Sequence, residues 1–215
     1  MTASLRFVSW RLRWGVTSYF QAFDLRDLSQ TRAFARNAIQ HLGDLDGLVN
    51  NAGMNFFRGV VESTQSDLES CFALNFYPAW VLAQEVYPSL KASRGIVVTI
   101  SSVHADKTAA GSFPYNAAKA ALIALNKSLA LEWGTHGIRA VAIAPALILT
   151  PLADAYFGTL EDPDAERESL GKTHPVGHAG RPEDIASLVM YLLGGTNSFI
   201  SGTTITVDGG ISARL

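Results

Sequence analysis

From about residue 18 onward, short apolar runs alternate with longer segments that carry apolar residues at helical spacing. Strands are predicted at residues 18–23, 45–50, 95–101, 138–144 and 203–207. Four of the five are rich in Val or Ile and apolar on both faces, as buried parallel strands require. Helices are predicted between them, at residues 28–42, 66–89, 114–133 and 182–193. Gly43 stops the first, and Arg181-Pro182-Glu183-Asp184 opens the last with proline and acids in its first turn. Strand and helix alternating in this way predict an α/β domain: a parallel sheet joined by crossover helices.

Two stretches break the rhythm. Residues 149–180 carry three prolines, several glycines, a run of charges and the aromatic pair Tyr156-Phe157. So long a connection in a compact domain reads as a lid, here with a short helix near residues 165–170. The first 16 residues crowd together Arg6, Arg11, Arg13, Trp10 and Trp14, and no acid precedes Asp24. That composition overlaps with an organelle transit peptide, and equally with what a misassigned start or an altered reading frame yields. Residues 9–14 alternate polar and apolar, the pattern of a half-exposed strand. The domain reading is therefore an atypical arm over 1–17 and a single domain over 18–215.

Composition narrows the function classes. The 17 basic and 19 acidic side chains give a net charge of −2, with no like-charge block to serve as a nucleic-acid or membrane-surface footprint. Cys71 is the single cysteine, which excludes an internal disulfide framework and cysteine-built metal sites; no metal is expected, and a reducing, cytoplasmic setting is. No apolar run approaches the roughly 20 residues of a membrane-spanning helix.

Candidate chemistry gathers at the predicted strand ends. Tyr115 and Lys119, four apart on an alanine-rich helix, project from one face. A tyrosine hydroxyl titrates near pH 10 and exchanges protons poorly at neutral pH unless a neighbouring cation stabilises its phenolate, a charge that Lys119 would supply. Ser102 lies thirteen residues earlier, at the carboxyl end of the 95–101 strand, where ligands sit in open α/β sheets. It would hold a carbonyl oxygen for protonation, with Ser101 its rival for the role. Nucleophilic serine chemistry fits less well, because the chain has no G-x-S-x-G elbow. His104 is either a pocket residue or a partly exposed loop histidine. Asn50-Asn51-Ala52-Gly53 follows another strand end, and Asn75 sits inside an apolar helical pattern that an asparagine disfavours unless its amide is engaged.

Asn51-Ala52-Gly53, Asn75, Ser102, Tyr115 and Lys119, in this order, resemble the classical branch of the short-chain dehydrogenase/reductase family, and the resemblance covers about residues 18–211. Asp24-Leu25 is similar to the family's adenine-contacting acid after its third strand. The segment Pro145-Ala146-Leu147-Ile148-Leu149-Thr150 is similar to its proline–glycine segment beside the nicotinamide, with Ala146 where glycine is usual. Gly180-Arg181-Pro182-Glu183-Asp184-Ile185-Ala186 and Val207-Asp208-Gly209-Gly210 resemble its carboxyl-terminal signatures. His178 stands where the family commonly has arginine.

The resemblance implies a Rossmann-like, doubly wound sheet and reversible hydride transfer between a nicotinamide dinucleotide and a small carbonyl or secondary alcohol. Tyr115 would be the acid/base. Lys119 would lower its pKa and hold the nicotinamide ribose, Ser102 would orient the substrate oxygen, and Asn75 would hold a water in a proton relay. Asp24, Asn51, Ala52, Gly53, Pro145, Ile148 and Thr150 would line the cofactor. A homodimer or homotetramer through the helices at 66–89 and 114–133 is also implied, with Ala117, Ala118, Ala120, Ala121 and Ala124 permitting close approach.

One departure is severe. The family opens with a strand, a T-G-x-x-x-G-I-G turn, a helix and a second strand, whereas the only glycine before Gly43 is Gly15. An incomplete Rossmann domain is expected, without the first two strands or the backbone cradle for pyrophosphate. Those strands would lie between the ones at 18–23 and 45–50, so two open sheet edges are expected. NAD and NADP both stay open, because the residue facing the ribose 2′ position belongs to the second strand. A noncatalytic, oligomer-forming subunit that binds no dinucleotide is the alternative reading.

Overall fold

The computed structural model describes residues 16–213. The reading of residues 9–14 as a strand, and most of the 1–17 arm, lie outside the described residues. Four parallel strands form one sheet in the order β1-β2-β3-β4: β1 Gly47–Asn50, β2 Ile96–Ile100, β3 Arg139–Pro145 and β4 Thr204–Val207. The seven α-helices among the described residues are α1 Leu28–Leu42, α2 Gln65–Asn75, α3 Tyr77–Ser93, α4 Tyr115–Trp133, α5 Pro151–Phe157, α6 Pro163–Lys172 and α7 Pro182–Leu193.

Period-two alternation along the strands splits the core between the two sheet faces. Val97 and Ala140 pack with Val86, Leu90 and Leu129 of α3 and α4. On the other face, Ile96, Val98, Val141 and Ile143 pack against α7 through Leu192. Helices on both faces of a parallel sheet make the domain Rossmann-like and doubly wound, as expected. Gly47 is glycine because α7 presses on it: a Cβ there would stand 2.6 Å from the Leu193 side chain. Helix α1 covers α3 from outside, where Glu85 takes Arg32 at 2.7 Å and Arg36 at 2.8 Å.

Three expectations change. Residues 18–23 form no strand: the segment runs extended beside α1, with Tyr19 and Phe23 ring-packed on Phe34 at 5.8 and 5.1 Å. Among the described residues no strand stands next to it to complete a ladder. The expected pair of opposed edges between 18–23 and 45–50 is not seen: among the described residues β1 is an outer strand of the sheet with no strand beyond it. The helix predicted at 66–89 is two helices, broken at Phe76 (φ −124°, ψ −55°). Pro78 brings no N–H for the carbonyl four residues back, and Asn75 turns its amide to other partners. The lid holds two helices rather than one. Thr150 caps α5 by accepting the Ala153 N–H at 3.2 Å, and Arg167 of α6 ties the pair together through Asp154 at 3.1 Å and the ring of the fully buried Phe157 at 5.1 Å.

Candidate active site

The carboxyl ends of β1 and β2 and the start of α4 meet at one point. Beyond Ile100 the chain continues through two buried serines. Ser101 donates its hydroxyl to the Lys119 backbone carbonyl at 2.8 Å, which ties the strand end to α4 and uses up that hydroxyl. Ser102 is free of such a tie: its Oγ accepts the His104 N–H at 3.2 Å and is the hydrogen-bonding neighbour of the Tyr115 phenol. Geometry thus separates two adjacent serines that the sequence leaves as rivals.

Lys119 is 3% exposed. Its Nζ donates to the Ile100 carbonyl at 2.9 Å and lies 5.5 Å from the Tyr115 ring centroid. The other two ammonium protons have no partner among the described residues. Burial lowers the lysine pKa to about 8, and burial raises that of Tyr115 to about 12, while the Ser102 hydrogen bond pulls the phenol the other way. The expected depression of the tyrosine by the lysine is therefore not what governs this geometry: desolvation of the phenolate outweighs it.

Asn75, 1% exposed, pins the loop after β1 through both backbone polar groups of one residue. Its Oδ1 accepts the Met54 N–H at 3.0 Å, and its Nδ2 donates to the Met54 and Cys71 carbonyls at 3.1 Å each. Gly53 closes the cluster, since a Cβ there would stand 2.9 Å from Asn75 Oδ1 and 3.2 Å from Lys119 Nζ. Gly53, Asn75, Lys119, Tyr115 and Ser102 are thus brought together. The buried Cys71 thiol, 3.6 Å from Asn75 Nδ2, is a neighbour that sequence reasoning missed; four-residue helical spacing to Asn75 was the available signal.

The outer residues behave differently. Asn51 and Ala52 are exposed. Asn50 is 8% exposed, yet neither amide atom finds a partner among the described residues. Asp24 stands at the surface before α1 with its carboxylate held by Arg26 at 2.6 Å, which keeps its pKa below the ordinary carboxylate range. Pro145 ends β3. Ile148 bridges to Gly180, and Leu149 N–H and Gly180 N–H bond across the lid base at 2.9 and 3.0 Å. Thr150 is occupied as the α5 cap. A cleft of about 430 Å³ runs on the far side of the Ser102 turn, between Lys107, Ile123, Thr204 and Thr206; Tyr115 and Lys119 do not line it.

A Tyr–Lys–Ser cluster thus stands at the strand ends of a doubly wound sheet. A family model described as Enoyl-(Acyl carrier protein) reductase matches residues 11–212, and the chain belongs to the short-chain dehydrogenase/reductase family. It is 38% identical over 173 residues to tropinone reductase homolog At1g07440 of Arabidopsis thaliana, covering 80% of this chain and 63% of that one. The chain thus spans less than two thirds of that relative's length. Among solved structures, levodione reductase superposes with a TM-score of 0.90 at 26% identity, covering all of this chain and 86% of the other. ElxO with NADP bound superposes with a TM-score of 0.84 at 25% identity, covering 98% of this chain and 86% of the other. No helix among the described residues is long and apolar enough to cross a membrane.

Proposed function

We propose that the chain, an oxidoreductase by family, interconverts a small carbonyl compound and its secondary alcohol, with Tyr115 as the acid/base. The observation that carries this reading is the convergence of the Ser102 hydroxyl and the buried Lys119 ammonium on the Tyr115 phenol. In the reductive direction, Ser102 donates to the carbonyl oxygen and Tyr115 gives its proton as negative charge develops there. A phenol with a pKa near 12 is fully protonated at pH 7 and ready to donate. In the oxidative direction it must first lose that proton, so alcohol oxidation rises with pH.

NAD or NADP, when bound, supplies or accepts the hydride. The residues present fit its nicotinamide half: two unpartnered Lys119 protons suit ribose hydroxyls, and the missing Cβ of Gly53 leaves room beside them. By the family resemblance, Ile148 and Pro145 would line the nicotinamide. The NADP-bound relative supports the cofactor class. No glycine-rich turn stands among the described residues, and Asp24 is already neutralised by Arg26. Losing several phosphate hydrogen bonds of roughly 1.5–3 kcal/mol each weakens cofactor affinity by orders of magnitude.

That weakness favours one alternative, a noncatalytic oligomer-forming subunit. Titration with NADH and NADPH, followed by cofactor fluorescence, separates the two: saturable binding supports the enzyme, and silence up to millimolar cofactor supports the subunit. Tyr115→Phe tests the chemistry. Carbonyl reduction falls by about 10²–10⁴-fold with folding intact, and wild-type turnover in that variant refutes the assignment. A homodimer or homotetramer through α3 and α4 belongs to the same proposal, supported by Trp80 and Leu131, which are 41% and 81% exposed.

A further inference from the structure

Three rings stand together beside the reacting hydroxyl. Phe57 meets Tyr115 edge-on at 5.3 Å and His104 at 5.7 Å, and His104 meets Tyr115 at 6.3 Å. Phe57 is held there by its backbone: it bridges to Pro114, and the next two N–H groups bond to the Phe113 carbonyl at 3.0 and 3.1 Å. Its ring is 38% exposed, so the trio forms a wall with one open side.

The histidine in this wall is oriented. Its Nδ1 lies 3.3 Å from the Ser112 hydroxyl and 3.3 Å from the Thr108 hydroxyl. Ser112 is 5% exposed, and its hydroxyl has no other partner among the described residues, so it must donate to Nδ1 to satisfy its own proton. A proton received at Nδ1 leaves the ring's own proton on Nε2. That Nε2–H has no partner among the described residues. The His104 backbone N–H meanwhile donates to Ser102 Oγ, so the carbonyl-holding serine and this imidazole belong to one turn and move together.

We infer that His104 Nε2–H is a second hydrogen-bond donor to the substrate, and that the substrate class is a carbonyl compound bearing another oxygen on a neighbouring carbon, flanked by the Phe57 ring. An α-hydroxy ketone or a 1,2-diketone has this form; a plain ketone leaves the donor unpaired. The inference rests on the proposed role of Ser102 and Tyr115 in holding the reacting oxygen.

Binding to the full-length protein, with no cofactor added, tests it. Dissociation constants for cyclohexanone and 2-hydroxycyclohexanone are read from the His104 Nε2–H signal in histidine-labelled protein and from ligand-observed NMR. The hydroxy ketone is expected to bind about tenfold more tightly, the effect of one neutral hydrogen bond in a desolvated site. His104→Phe keeps a ring against Phe57 and Tyr115 but removes the donor, and brings the ratio of the two constants to about one. His104→Gln restores an N–H at the position of Nε2 and recovers part of the ratio. An unchanged ratio in His104→Phe, no preference in the wild type, or no binding of either ketone overturns the inference. Turnover with NADH or NADPH is scored separately. A preserved ratio without Tyr115-dependent turnover counts against the proposed reaction alone, and Tyr115-dependent turnover with a ratio of one counts against the His104 subsite alone.

Discussion

Replacing Lys119 with methionine is expected to make the protein more stable at pH 7 while abolishing the proposed chemistry. At 3% exposure the ammonium has little solvent around it. Lowering its pKa from 10.5 to about 8 corresponds to about 3 kcal/mol against the charged form in the folded state. Methionine removes that cost and fills a similar volume. It also removes the 2.9 Å hydrogen bond to the Ile100 carbonyl, and an orphaned buried carbonyl costs roughly 1–3 kcal/mol. The net expectation is a gain of about 1 kcal/mol at pH 7. The pH dependence fixes the sign independently. Between pH 8 and 10.5 the unfolded chain still carries a proton on Lys119 that the folded protein has released, so wild-type stability rises with pH across that window. The methionine variant lacks this rise, so its advantage of about 1 kcal/mol is gone by about pH 9 and wild type is the more stable protein above that. Urea denaturation midpoints for both proteins at pH 7, 8, 9 and 10 measure the gap. A variant less stable than wild type at pH 7, or a gap that stays constant with pH, refutes the reasoning.

Other expectations follow from single contacts. Asn75→Ala empties a buried side-chain site and removes the partners of the Met54 N–H and C=O, and should lower stability by roughly 1–3 kcal/mol, read by the same denaturation. Gly180→Ala puts a Cβ 2.5 Å from Ile148 Cδ1 at the lid base; it should destabilise by about 1–3 kcal/mol, and adding Ile148→Val should recover part of the loss, whereas simple additivity would show that the clash is relieved elsewhere. Burial raises the Cys71 thiol to about 11, so native protein at pH 8 should react with iodoacetamide far more slowly than unfolded protein; equal rates would place the thiol at the surface.

How much of this was legible in the sequence depended on whether a residue's neighbours were local. The helices at 28–42 and 182–193 have the predicted bounds, because Gly43 and the Pro182 turn are local stop and start signals. The four strands that found partners were legible from their Val and Ile, while the fifth, at 18–23, is aromatic without Val or Ile and forms no ladder among the described residues. Composition marks a segment as able to pair; pairing also needs a neighbouring edge. Asn75 announced itself as a misfit inside an apolar helix, and its pinning of Met54 explains the misfit. The choice between Ser101 and Ser102 was not legible, since it turns on which hydroxyl meets the Lys119 carbonyl. Nor was the direction of the Tyr115 shift: i, i+4 spacing puts a cation near the phenol but says nothing about how dry the site is.

The same contrast between local and distant partners divides the candidate site into a finished half and an open one. Around Lys119 every element is tied: Ser101 to α4, Lys119 to Ile100, Asn75 to Met54, and Gly53 against both polar side chains. At the adjoining edge, among the described residues, β1 has no outer neighbour, Asn51 and Ala52 are exposed, and the Asn50 amide is buried without a partner. A buried unpaired amide costs roughly 1–3 kcal/mol, so this edge is where added backbone or ligand polar groups stabilise the chain most. The finished half holds the groups proposed to move a proton, and the open half is where the family resemblance calls for groups that bind phosphate. Dinucleotide titration of this chain therefore reports on the open half, and the comparison of wild type with Tyr115→Phe reports on the finished one.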